Sequence, residues 1–143
     1  MSATAYDDSN VFARILRGEL PAEKVWEDEH TIAIMDVMPQ GEGHVLVLPK
    51  ATSRNLLDIG TKDLGRLMGT VQMLARAVVK AFDADGVNVM QFNEQASGQT
   101  VFHTHVHVIP RFEGVPLRPH SGGMADPSTL KIAADRIRGV LGN

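Results

Sequence analysis

The chain has 143 residues, with 14 Lys and Arg against 17 Asp and Glu, a formal charge of −3 and no cysteine. That length fits one domain, 1–143, able to bury a core without covalent staples. The missing thiols exclude disulfides, cysteine nucleophiles and Cys-ligated zinc, and mild acidity without a basic cluster argues against a nucleic-acid surface.

The opening "MSATAYDDSN" has neither the basic nor the apolar region of a signal peptide, and no apolar run approaches a membrane span. We expect a cytoplasmic protein with no membrane and no nucleic-acid partner. "DDSNVFARILRGELP" predicts a short helix capped by Ser9 or Asn10, with Phe12, Ile15 and Leu16 on its apolar side and Gly18 ending it. "KVWED" and "TIAIMD", separated by a polar turn, predict a hairpin, and "MPQGEGH" is a loop feeding the strand "HVLVLPK". From Thr61 to about Ala84, Leu64, Leu67, Met68, Val71, Leu74, Ala75, Val78, Val79 and Phe82 recur at helical spacing, with Thr61 as the expected cap. "VNVMQFN" predicts a further strand, followed by the polar loop "EQASGQ". After Pro110 the chain is irregular until Asp126 caps and Pro127 starts a last helix lined by Leu130, Ile132, Ala133, Ile137, Val140 and Leu141. This pattern is α+β: an antiparallel sheet of about five strands with a long helix and a C-terminal helix packed against it.

The unusual stretch is "HTHVHVIPR". In a strand, His103, His105 and His107 point to one face, with same-face neighbours about 6.6 Å apart. Three readings fit. Two imidazoles so spaced can grip a metal if His44, His120 or Glu113 completes the set. Neutral imidazoles can instead supply a nucleophile with its partners. The third reading is a hydrogen-bonded polar strand face without chemistry.

"GQTVFHTHVHVIPR" resembles the signature of the histidine triad proteins, and the resemblance extends upstream through "ARILRGELPAEKVWEDEHTIAIMDVMPQGEGHVLVLPK". It implies attack at the α-phosphate of a nucleotide through a covalent nucleotidyl-histidine. On that likeness His105 is the nucleophile, His107 contacts the phosphate oxygens, His103 orients them from behind, and His44 lies beside the three. The likeness also places Asn93, Gln99 and Thr100 against the phosphate and leaving group, with Thr100 where many members carry serine. It places Asp36 on the ribose hydroxyls and Phe12, Ile15, Ile34 and Val37 around the base. Some bacterial members hold a structural zinc with a Cys pair in the segment matching Asn10 to Ala13; its absence here predicts a metal-free protein without a cofactor.

The branch resembled is that of the adenosine phosphoramidases, which implies AMP–amine conjugates as purine nucleotide substrates and a homodimer. The alternatives are a dinucleoside polyphosphate hydrolase, a nucleotidyl transferase, a nucleotide-binding scaffold with incidental hydrolysis, and a metal-dependent barrel enzyme. "RFEGVPLRPHSGG" is expected near the pocket or the dimer partner. A histidine nucleophile must be neutral, so activity is expected to fall as pH drops through the pKa of the free site, whose unperturbed reference is about 6.5.

Overall fold

The computed structural model describes residues 5–120 and 122–142. Asn10 turns its side-chain oxygen to the Ala13 N–H at 2.9 Å and so starts α1 (Val11–Leu16). Two strands follow, β1 (Lys24–Glu27) and β2 (Thr31–Met35). Asp28 closes the turn between them by accepting from the His30 and Thr31 N–H groups at 2.9 and 2.8 Å. The chain continues through β3 (Val45–Pro49), α2 (Thr61–Phe82), β4 (Gly86–Met90), a single 3₁₀ turn at Gln95–Ser97, β5 (Val106–Arg111) and α3 (Pro127–Leu141).

The strands form one antiparallel sheet in the order β1-β2-β3-β5-β4. This is the α+β architecture expected from the pattern of elements. Alternation along each strand divides the apolar residues between the faces. Val45, Val47, Val106 and Val108 join Leu67, Val71, Leu74 and Val78 of α2 and Ala134 and Ile137 of α3 in the main core. Ile32, Ile34, Leu46 and Leu48 turn to the opposite face, where Phe12 of α1 packs on them. Leu46 pairs directly with His107 across β3 and β5, so that second face also carries the histidine.

Four expectations need correction. β5 begins only at Val106, so His103 and His105 precede the strand instead of lying in it. The Thr104 N–H bonds the Ser53 carbonyl at 2.9 Å, which ties this lead-in to a loop where a strand would bond β3. Gly60, not Thr61, occupies the cap position of α2, without a side-chain cap bond. β4 stops at Met90. The apolar stripes are also narrower than the spacing suggests, because Ile132 of α3 is 65% exposed and Met68 of α2 is 42% exposed.

Candidate active site

A carbonyl oxygen only accepts hydrogen bonds, and that simple asymmetry fixes where the imidazole protons sit. His105 Nδ1 lies 2.7 Å from the His103 carbonyl, so Nδ1 carries the proton and Nε2 keeps a free lone pair. His103 Nε2 donates to the Pro49 carbonyl at 2.8 Å, and its Nδ1 accepts from the Tyr6 hydroxyl at 2.5 Å. The Tyr6 oxygen in turn accepts from Asn10 Nδ2 at 3.0 Å. The same residue that caps α1 thereby fastens the back of the histidine cluster.

On the other side, the Gln40 backbone N–H donates to His44 Nδ1 at 3.0 Å, which leaves the proton on His44 Nε2. That N–H reaches His107 Nδ1 at 2.9 Å, so His107 must present an N–H at Nε2. The relay therefore delivers one unprotonated nitrogen, on His105, beside one donor, on His107, with ring centroids 5.2 Å apart. This is the arrangement that attack on an electron-poor centre with stabilisation of its oxygens requires.

Burial keeps these rings neutral. It lowers the His105 pKa below the ordinary imidazole value, partly opposed by the bond to the His103 carbonyl. Burial likewise brings His103 and His44 down to about 4, opposed by the Pro49 carbonyl and by Asp36 respectively. His107 falls to about 3, first through burial and then through its histidine neighbours. The loss of neutral nucleophile therefore comes below the unperturbed reference of about 6.5.

Asp36 is 4% exposed, at the end of β2. Burial opposes its charge, but His44, the Met38 N–H and His120 outweigh that and hold its pKa below the usual carboxylate range. Oδ1 accepts from the Met38 N–H at 2.8 Å, and Oδ2 faces His120 Nε2 at 3.0 Å and His44 Nε2 at 3.4 Å. Asp36, His44 and His107 offer atoms within 4.8 Å of one another, close enough for a metal. The donor set does not fit one: His44 Nδ1 already accepts an N–H, so its Nε2 holds a proton and is not a free ligand atom.

The other predicted residues divide. Phe12 sets its ring edge-on to His105 at 4.8 Å between centroids. Ile34 is buried beside Phe12, and Ile15 packs against them. Val37 stands apart, 45% exposed. The Gln99 side chain is spent on the loop before the triad. Its amide oxygen accepts from Asn55 Nδ2 and the Glu94 N–H, and its nitrogen donates to the Arg54 and Val101 carbonyls, at 2.8 to 3.0 Å. It locks the loop before the triad and has no hydrogen-bonding capacity left for a phosphate. Asn93 uses its oxygen on the Leu56 N–H and Gln91, each at 2.9 Å, while Thr100 is exposed.

Residues 17–114 match the family model described as HIT domain. The chain belongs to the histidine triad family. A Bartonella henselae Hit-like protein, described as involved in cell-cycle regulation and solved with an unknown ligand, superposes with a TM-score of 0.90 at 50% identity, covering 95% of this chain and 99% of that one. A zinc-bound histidine triad protein from Mycobacterium smegmatis gives 0.83 at 34% identity, over 94% of each chain. Among curated relatives, the adenylylsulfatase HINT3 of Arabidopsis thaliana is 38% identical over 78% of this chain, which spans 56% of its length. Members of this family act on nucleotides as hydrolases and transferases. Reading the triad missed Tyr6 and Gln40, which set tautomers, and Phe92, whose ring lies edge-on to His107 at 5.6 Å. No sequence spacing marks a backbone N–H as a tautomer switch, but Gly43 after "QGE" does mark the turn that brings Gln40 back to His44.

Proposed function

We propose that this histidine triad protein hydrolyses purine nucleotide conjugates at the α-phosphate, with AMP–amine conjugates as the leading substrates and no metal in the reaction. The observation that carries the reading is the bond from His105 Nδ1 to the His103 carbonyl, which leaves Nε2 unprotonated next to the His107 donor. In the first step His105 Nε2 bonds the α-phosphorus, and the phosphorus–nitrogen bond of the substrate breaks. Its electron pair leaves with the amine, which takes up a proton from solvent. The positive imidazole of the adduct is held through Nδ1–H by the His103 carbonyl, and His107 Nε2–H faces the phosphoryl oxygens. Water then attacks phosphorus and gives up a proton to solvent, the bond to His105 breaks, and its lone pair is restored as AMP leaves.

Phe12, Ile15 and Ile34 supply the apolar surface for the base, and Asp36 takes the ribose. The adenylylsulfatase relative supports an adenylate bearing a varied leaving group. The test is turnover of an AMP–amine conjugate beside a diadenosine polyphosphate, each with and without chelator. Faster, chelator-resistant turnover of the AMP–amine conjugate is expected. Preference for the dinucleotide moves the chain to the polyphosphate hydrolases, and loss on chelation removes the metal-free reading.

A further inference from the structure

In the proposed function Asp36 receives the ribose, yet its carboxylate is 4% exposed and both oxygens are engaged. A sugar hydroxyl reaches it only if a neighbour moves. The Met38 N–H is main chain two residues from the carboxylate it bonds, and His44 is completely buried between Gln40 and His107. His120 differs from both. Its side chain is 43% exposed, on the irregular stretch between β5 and α3, and it stands over the site with its ring 5.9 Å from that of His107 and 6.2 Å from that of His44. The stretch itself is fastened through its backbone on either side of the ring. Arg118 N–H donates to the Gln40 carbonyl at 2.7 Å and Ala125 N–H to the Val37 carbonyl at 2.9 Å. A side-chain rotation can therefore open the contact while the strap stays in place.

We propose, resting on the nucleotide reading above, that His120 is a displaceable cover on Asp36 that competes with the ribose hydroxyl for Oδ2. On entry a sugar hydroxyl replaces the His120 N–H at Oδ2. A sugar without hydroxyls offers Oδ2 nothing in exchange, so His120 keeps its bond to Asp36 when such a nucleotide binds. His120 thus weakens the hold on hydroxyl-bearing sugars in particular, acting through Asp36 and not on phosphorus.

Calorimetric Kd values for AMP and for 2′,3′-dideoxy-AMP test this. His120→Ala should tighten AMP about fivefold, the worth of one net hydrogen bond, and leave dideoxy-AMP within about twofold of its wild-type value. His120→Gln, which keeps an N–H donor, should return AMP toward the wild-type Kd. Unchanged or weaker AMP binding by His120→Ala overturns the proposal, as does an equal gain for both nucleotides, which would mean simple widening of the site. If His120→Ala binds AMP and dideoxy-AMP equally, the ribose contact and this proposal fail while the nucleotide reading stands. If the wild type binds neither, the nucleotide reading fails as well.

Discussion

His105 is chemically useful because one carbonyl fixes its proton and burial keeps the ring neutral. The sign of the pH effect follows directly. The pKa is lowered, so the neutral nucleophile persists below the ordinary value of about 6.5 and is lost only as pH falls through the depressed one. We expect the half-maximal point of kcat/KM to lie below pH 6.5; half the activity gone by pH 6.5 would contradict it. The triad itself is plain in "HTHVHV", because three imidazoles at alternate positions have few uses. Their environment is not plain, since His103 is set by Tyr6, 97 residues away in the chain, and Asp36 meets a histidine 84 residues further on. Nothing in local spacing records a contact of that range. Gln99 shows the opposite failure: a residue beside a chemical motif whose four hydrogen bonds all serve the loop.

Among the elements, α2 and α3 are legible from three- and four-residue apolar spacing, and Asn10 and Asp126 from their cap chemistry, with Asp126 accepting from the Ser128 N–H at 2.9 Å. Where β5 starts is not, because the residues before it alternate in sequence just as a strand does, while their hydrogen bonds go to a loop and to Pro49. The loop before β3 is the element on which the site depends most. Gly43 has φ +77°, and a Cβ there would stand 2.5 Å from a ring carbon of Phe82. Gly43→Ala combines left-handed strain with overpacking and should cost about 3 kcal/mol in urea unfolding. Gly139→Ala, in an open position of α3 with nothing within 4 Å, should instead be neutral or stabilise by up to about 1 kcal/mol. A loss below about 1 kcal/mol at Gly43 would show that the turn is not held against Phe82.

At the scale of the molecule, the sheet places its chemistry on the face that α2 and α3 leave uncovered, with α1 beside it. Among the described residues no helix is long and apolar enough to cross a membrane. β4 ends the sheet with Val89 44% exposed, and Met68 of α2 is 42% exposed. An open strand edge and an apolar helix residue facing water are both better covered. We propose that a second copy covers them. Sedimentation should then give twice the 15.5 kDa chain mass at micromolar concentration, and a monomer there would leave these surfaces to another partner.

The most direct measurement is the mass of the intact protein during turnover of an AMP–amine conjugate, after rapid quenching at neutral or alkaline pH, because the phosphorus–nitrogen bond to histidine is acid-labile. The account predicts a transient increase equal to one adenylyl group, located on His105 by peptide mapping. It also predicts that His105→Asn shows no adduct and almost no turnover while still binding AMP. Full turnover by His105→Asn, or an adduct on another residue, would contradict it.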